Sequence, residues 1–194
     1  MTPTIAKIIF VVGAIAWFII RHPHQRRARK TSIAKSARTL REKLLLSWSG
    51  TGLGAIPFIY IATGFPRFAD YPFHPVQGYL GAVVFMISLW LFYRVHRELG
   101  RNWSFSLEVR EQHTLITSGL YARVRHPMYS AFFLWALAQA LLLPNFVAGF
   151  AGFVGFGTLF ALRVGREEHL MLETFGNEYR AYMNRTKRVI PWIY

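Results

Sequence analysis

The hydrophobic residues of this chain fall into five long stretches separated by polar segments. These stretches cover residues 4–20, 44–63, 78–93, 127–143 and 146–162. A helix needs about 20 residues, and at least about 17, to cross a hydrocarbon core about 30 Å thick. The five stretches approach or reach that length, the third if it starts near Pro75, and they lack the polar stripe of soluble bundle helices. The pattern predicts an all-α integral membrane protein with five transmembrane helices.

The same pattern divides the chain into two regions. Residues 1–93 hold three predicted spans and a basic loop, and residues 94–194 hold a polar region that we expect to be catalytic. Only Pro144 and Asn145 separate the last two stretches, which predicts a helical hairpin over 127–162. One further amphipathic helix is predicted from apolar residues spaced three or four apart, namely Leu172, Phe175, Tyr179, Tyr182 and Met183.

Small residues within two of the stretches predict close packing between neighbouring helices. The fifth stretch contains Ala148, Ala151, Gly152, Gly155 and Gly157, and the second contains glycine at 50, 52 and 54. Small residues four apart allow helix backbones to approach closely in lipid. We expect these positions to lie at helix–helix contacts.

The charge of the chain follows its predicted topology. The sequence has 194 residues, with 23 Lys+Arg, 9 Asp+Glu and a formal net charge of +14, yet its mean hydropathy is +0.26. All the cations except Lys7 and Arg67 lie in residues 21–43, 94–126 and 163–194. Because Lys and Arg accumulate in cytoplasmic loops, these three segments are predicted to be cytoplasmic, with the N-terminus outside and the C-terminus inside. The basic composition therefore requires no nucleic-acid partner.

Several common cofactor sites are missing from the sequence. It has no Cys, and its seven His form neither a His-x-x-x-His nor a His-Glu-x-x-His pair, so we expect no metal. It also has no Walker loop and no Gly-x-Gly-x-x-Gly after a strand. Any nucleotide-like cofactor must therefore be bound without a Rossmann domain.

Candidate chemistry lies in the two polar segments that flank the hairpin. Pro127 is suited to the first turn of a helix, which places His126 at the start of the fourth stretch. The unpaired N–H groups of a helix N-terminus suit an anionic group such as a carboxylate or phosphate. The alternative is an interfacial cap, with His126 and Tyr129 as anchors at the lipid headgroups.

A second group of charges emerges where the fifth stretch ends. Arg163 and Glu167 are four residues apart and should share a helix face, so a salt bridge between them is expected. Together with the neighbouring Glu168, the carboxylates could instead hold a cationic ligand beside aromatic rings, while Arg163 holds an anionic one. The candidate rings are Trp103, Tyr121 and Tyr129.

Four motifs in this order resemble the isoprenylcysteine carboxyl methyltransferase family and the related membrane phospholipid methyltransferases. They are H-T-L-I-T-S-G-x-Y at 113–121, R-H-P-x-Y at 125–129, the acidic pair at 167–168 and F-G-x-x-Y-x-x-Y at 175–182, followed by Arg188 and Pro191. The resemblance covers about residues 94–194. At the position of a cofactor-contacting Gln in eukaryotic members, this chain has Ser106.

The resemblance implies methyl transfer from S-adenosylmethionine to the C-terminal carboxylate of a prenylated cysteine, in a protein or a small lipid-like analogue. A cytoplasmic pocket in the C-terminal half would hold the cofactor. The cofactor-binding residues implied are His113, Thr114, Leu115, Ile116, Tyr121, His126, Pro127, Met128, Tyr129 and Glu167. The implied catalytic residues are Arg163, Glu167 and Glu168, with Arg163 orienting the acceptor carboxylate and Glu168 orienting Arg163 or the substrate amide.

Three other functions are compatible with the sequence. A phospholipid N-methyltransferase would need a base for its amine acceptor, with Glu168, His126 and His169 as candidates. A membrane sterol reductase would bind NADPH instead of the methyl donor. A non-enzymatic scaffold would use the basic residues 21–43 to bind anionic lipid. The expected partners are the bilayer and the prenylated substrate, and the oligomeric state is left open.

Overall fold

The computed structural model describes residues 1–28, 33–36, 39–100, 108–110 and 114–194. The α-helices in these ranges are Pro3–Ala28 (α1), Leu40–Gly50 (α2), Ile56–Thr63 (α3), Pro75–Leu99 (α4), Pro127–Leu142 (α5), Phe146–Phe175 (α6) and Asn177–Arg185 (α7). Two 3-10 turns lie at Arg67–Ala69 and Gly119–Ala122. Ile33–Ser36 (β1) pairs with Glu108–Arg110 (β2) in a short antiparallel ladder. The described fold is thus helical apart from this ladder.

Four helical segments are long and apolar enough to cross a membrane. They are Pro3–Arg27, Leu40–Thr63, Pro75–Leu99 and Phe146–Phe175. The second joins α2 to α3 through a π-helical turn at Thr51–Ala55. Helix α5 is also apolar but has only 16 residues, which is about 24 Å at 1.5 Å per residue. Four candidate spans are therefore found among the described residues where the sequence predicts five, because α5 is shorter than the bilayer core.

Helices α5 and α6 form a hairpin across Pro144 and Asn145, and α6 continues to Phe175 instead of ending near 162. Asn145 caps α6, since its side-chain oxygen accepts from the N–H of Ala148 at 2.8 Å. Its Nδ2 donates to the carbonyl of Pro66 at 2.6 Å and to Asp70 at 2.7 Å. The hairpin turn is thereby attached to the loop that follows α3.

The π-helical turn packs directly against α6, as the small residues in both segments predict. A Cβ atom on Gly52 would lie 2.3 Å from the Ala151 carbonyl oxygen, and one on Gly155 would lie 3.2 Å from the Gly52 Cα. Gln139 of α5 donates to the Gly52 carbonyl at 3.0 Å. Gly50, Gly54 and Gly157 differ from this prediction, because a Cβ at any of the three would meet nothing within 4 Å.

The predicted C-terminal amphipathic helix is two helices. Gly176 adopts a φ of 54°, which an L side chain rarely takes, and it separates α6 from α7. The apolar spacing continues across this break, so Leu172 and Phe175 lie on α6 while Tyr179 and Tyr182 lie buried on α7. The Tyr182 hydroxyl donates to the Tyr121 carbonyl at 2.6 Å. Helix α7 therefore folds back over the segment that precedes α5.

Candidate functional site

A cavity of about 810 Å³ lies among the helices and contains most of the predicted site residues. The C-terminal half of α1, α2, the end of α4, the start of α5 and the middle of α6 bound it. Along α6 its lining runs from Phe156 to Met171, fifteen residues along the chain or about 23 Å of helix. The volume falls within the range of about 300–1,000 Å³ that is usual for small-molecule sites.

Most of the site residues predicted from the sequence line this cavity. They are Thr114, Leu115, Ile116, Tyr121, His126, Met128, Tyr129, Arg163 and Glu167. Pro127 and Glu168 are described but are not part of the lining. His113, Trp103 and Ser106 lie outside the described residues. Within the described ranges no group of three His, Cys, Asp or Glu side chains could hold a metal ion.

His126 stands at the N-terminus of α5 between two carboxylates. It is the N-cap residue, and its carbonyl accepts from the N–H groups of Tyr129 and Ser130. Its ring nitrogens lie 3.6 Å from Glu167 Oε1 and 3.4 Å from Glu168 Oε1. Burial by itself lowers the pKa of His126, but the hydrogen bonds and charges of both carboxylates outweigh it and raise that pKa above its ordinary value. The imidazole therefore stays protonated to a higher pH than usual.

Glu167 is the carboxylate that faces the cavity. Its Oε2 accepts from the Tyr129 hydroxyl at 2.5 Å and lies 3.7 Å from Arg163 Nε, which forms the salt bridge that the spacing predicts. Its side chain remains 29% exposed, so a ligand in the cavity can reach it. Tyr129, Arg163 and His126 thus orient the Glu167 carboxylate, but they do not enclose it.

Glu168 has a different environment, although it is the next residue in the chain. Its side chain is only 5% exposed and pairs with Arg125 at 3.0 Å and with Arg188 at 2.8 Å. Arg125 also donates to the carbonyls of Met183 and Thr186. Backbone bonds from Arg125 to the Lys187 carbonyl and from His126 to the Arg188 carbonyl complete the contact. Glu168 therefore holds the segment before α5 and the C-terminal residues together.

The sequence assigned Glu168 to orient either Arg163 or the substrate amide, and the structure does not bring it into contact with Arg163. Its role towards the substrate amide stays a prediction. The ion-pair partners of Arg163 in the described chain are Glu42 and Glu167. Consecutive residues on a helix point about 100° apart. Glu167 and Glu168 therefore flank His126 from two directions, and only Glu167 lines the cavity beside Arg163.

Glu42 is a site residue that the sequence reasoning missed. It lies in the first turn of α2, is 1% exposed, and its Oε1 is 3.4 Å from Arg163 Nε. The sequence feature that could have identified Glu42 is its charge, because it is the single acidic residue among nine cations in residues 21–43. Such an acid next to an apolar stretch is a candidate for a buried charge partner.

Aromatic side chains surround the acidic end of the cavity. Tyr121 is buried, and burial together with the charge of Glu167 raises its pKa well above the ordinary value. Tyr179 and Tyr182 of α7 line the same end. A carboxylate next to aromatic rings suits a cationic ligand, because the charge and the ring faces both attract it.

The other end of the cavity is apolar and reaches the outer surface of the helices. Ile15 and Phe18 of α1 and Phe58 of α3 line the cavity, yet they are 54%, 60% and 41% exposed. Among helices that span a membrane, such exposed apolar side chains face lipid. The cavity therefore has an opening between α1 and the α2–α3 segment on the lipid-facing side.

Comparisons with known proteins point to one family. A model of the isoprenylcysteine carboxyl methyltransferase (ICMT) family matches residues 79–173. The chain is 31% identical over 136 residues to a probable protein-S-isoprenylcysteine O-methyltransferase of Oryza sativa subsp. indica, covering 66% of this chain and 67% of that protein. It is 33% identical over 96 residues to protein-S-isoprenylcysteine O-methyltransferase B of Arabidopsis thaliana, covering 48% of this chain and 49% of that one. The chain thus spans about half the length of the Arabidopsis protein.

A solved structure shares the fold. It is that of the eukaryotic intramembrane Ras methyltransferase ICMT, with a TM-score of 0.53, 21% identity, and coverage of 80% of this chain and 54% of that one. At this level of identity the likeness concerns the fold alone. It agrees with an arrangement of membrane-spanning helices.

Proposed function

Because the chain belongs to the isoprenylcysteine carboxyl methyltransferase family, we propose that it methylates the C-terminal carboxylate of a prenylated cysteine, with S-adenosylmethionine as the methyl donor. The acceptor is a protein or a small lipid-like analogue. One observation carries the proposal. One cavity is lined both by an acidic, aromatic group of residues and by apolar residues at the lipid-facing surface, and along α6 Arg163 lies between Leu159 and Glu167 in its lining. A cofactor cation, an acceptor carboxylate and a hydrocarbon tail each find complementary groups there.

The residues at the acidic end fit the cofactor. S-adenosylmethionine carries a sulfonium cation and a carboxylate. Glu167, Tyr121 and Tyr129 supply a negative charge and aromatic faces for the cation. The N-terminus of α5, where His126 is the N-cap residue, suits the carboxylate. Thr114 to Ile116 and Met128 enclose the same end, while His113 and Pro127 are assigned to the cofactor by the resemblance alone.

The remaining groups fit the acceptor. The bound cofactor supplies a sulfonium methyl group, whose transfer forms a C–O bond to the acceptor carboxylate and leaves the C–S electron pair on sulfur. A carboxylate is already ionised at pH 7, so the protein does not need to remove a proton. Arg163 orients the carboxylate, and the lipid-facing opening beside Phe18 and Phe58 admits the prenyl chain from the bilayer. Alignment of the two reactants and exclusion of water provide the acceleration.

The orientation in the membrane is part of the proposal. We place the N-terminus outside and both the C-terminus and the site on the cytoplasmic side. In this arrangement α5 crosses together with the four candidate spans, since the turn between α5 and α6 is bonded to the loop that follows α3. The support is the distribution of cations, since all but Lys7 and Arg67 lie in segments on one predicted side. Accessibility of single cysteines introduced near residue 2 and residue 184 in sealed vesicles tests this orientation, because the chain has no Cys of its own.

The decisive experiment measures transfer of labelled methyl from S-adenosylmethionine to N-acetyl-S-farnesylcysteine, with phosphatidylethanolamine as a parallel acceptor. Base-labile label on the cysteine compound is expected, because a methyl ester hydrolyses in base. The variant Glu167→Gln should lose this activity, whereas Glu173→Gln, at an exposed position on the same helix, should retain it.

Three outcomes would contradict the proposal in different ways. Label on phosphatidylethanolamine alone would assign the protein to amine methylation. Binding of NADPH without binding of the methyl donor would favour a reductase. Cofactor binding with neither acceptor labelled would retain the cofactor site and reject the prenylcysteine.

A further inference from the structure

Glu42 is a buried carboxylate that reaches the site from outside the catalytic region. It lies on α2 and is 1% exposed. Its Oε1 is 3.4 Å from Arg163 Nε, but neither atom has a hydrogen-bond partner of good geometry in the described chain. A buried ion pair without aligned hydrogen bonds gains little stability over an apolar pair of the same size. Stabilisation of the fold therefore does not explain why a carboxylate lies here.

The position of Glu42 relative to Arg163 suggests another role. Glu42 Oε1 and Glu167 Oε2 both approach the same nitrogen, Nε, at 3.4 and 3.7 Å. The terminal Nη nitrogens take no part in these two ion pairs, and Arg163 lines the cavity. One guanidinium is thus placed between two carboxylates, which gives the three side chains a formal charge of −1.

The charge balance matters because the acceptor loses its charge during the reaction. A carboxylate is negative before methyl transfer and neutral once it is an ester. An arginine with an unbalanced charge would stabilise the starting carboxylate more than the transition state, and such binding lowers kcat. An arginine whose charge is offset can still direct the carboxylate through hydrogen bonds.

We infer that Glu42 is a positioning residue that fixes the Arg163 guanidinium from α2 and offsets its charge, so that Arg163 orients the acceptor carboxylate without binding it too strongly. This inference rests on the proposed function and extends it to a residue of the N-terminal half. Glu167 cannot fill this role alone, because it also accepts from Tyr129 and faces the cofactor end of the cavity.

The test compares Glu42→Gln with wild type and with Glu173→Gln, the same substitution at an exposed position on α6. Steady-state kinetics give kcat and KM for N-acetyl-S-farnesylcysteine. Binding to the cofactor-free protein gives the Kd of that carboxylate and of its neutral carboxamide. For Glu42→Gln we expect kcat to fall about tenfold, while KM and the carboxylate Kd fall about threefold and the carboxamide Kd stays within about twofold. Glu173→Gln should change none of these values.

Damage to the structure would give the opposite pattern. If Glu42→Gln raises KM and weakens the carboxylate and the carboxamide equally, Glu42 is structural and the inference is wrong. Unchanged kcat and Kd values would also overturn it. Should Glu42→Gln fail to fold, Glu42→Asp takes its place, since it keeps the charge but moves it one methylene away from Arg163. A raised KM in that variant would reject the inference, and a lower kcat with an equal or lower KM would support it.

The same data separate this inference from the proposed function. If wild type transfers no methyl to the farnesylcysteine, the proposed function fails before any variant is compared. If wild type is active and the variants lack the expected split between kcat and KM, only the role of Glu42 fails.

Discussion

Replacing Glu168 with alanine should destabilise the protein strongly, because Glu168 compensates a buried arginine. Its carboxylate pairs with Arg125, whose side chain is only 8% exposed, and with Arg188, which is 33% exposed. Removing the carboxylate leaves the Arg125 guanidinium buried with carbonyl acceptors but no paired charge. The backbone bonds between 125–126 and 187–188 depend on the same contact.

The magnitude follows from burial. Breaking a buried ion pair by removing one partner costs about 3–5 kcal/mol, whereas an exposed pair contributes about 0–1 kcal/mol. We therefore expect about 3–5 kcal/mol for Glu168→Ala. Arg188→Ala should cost only about 1 kcal/mol, because Arg125 still compensates the carboxylate and Arg188 is partly solvated. For a chain of this size, 1 kcal/mol shifts Tm by about 2–4 °C.

Thermal unfolding in detergent measures these differences. Glu168→Ala should lower Tm by at least about 6 °C, and Arg188→Ala by clearly less. The matched control is Glu173→Ala, which removes an exposed carboxylate paired with His169 on the same helix and should leave Tm almost unchanged. If Glu168→Ala and Glu173→Ala have the same Tm, or if Arg188→Ala is the more damaging variant, the reasoning from burial is refuted.

Four other changes test the site and the packing. Glu167→Gln should weaken S-adenosylmethionine binding about 10-fold by calorimetry, and unchanged affinity would remove Glu167 from the cofactor site. Arg163→Ala should reduce acceptor turnover at least about 100-fold with cofactor affinity retained within about threefold, and lost cofactor binding would contradict its assignment to the acceptor. Because the pKa of His126 is raised in the folded state, its ion pairing should stabilise wild type over His126→Asn below pH 6.5 and fade as pH rises through the raised value, and a pH-independent difference in Tm would disprove this. Gly52→Leu should prevent stable folding, because its Cβ would meet the Ala151 carbonyl at 2.3 Å, whereas Gly157→Ala should be tolerated, and equal stability of the two variants would count against this packing.

Features that depend on residues close in the chain could be predicted from the sequence. The apolar stretches coincide with helices, Pro127 opens α5, and Arg163 pairs with Glu167 one turn later. Each depends on helical periodicity or on the conformational restriction of proline, which are properties of a few consecutive residues. The end of α6 was missed because apolar spacing continues across Gly176, and only its positive φ marks the break.

The tertiary structure decided which distant charges meet. Glu42 and Arg163 are far apart in the chain, and their contact depends on how closely α2 approaches α6 at Gly52 and Gly155. The different surroundings of Glu167 and Glu168 likewise depend on what lies on each side of α6, which is the cavity for one and the C-terminal residues for the other. Periodicity assigns a residue to a face of its own helix. It carries no information about the distance to another helix, and a change of a few ångströms in that distance decides whether two charges form a pair.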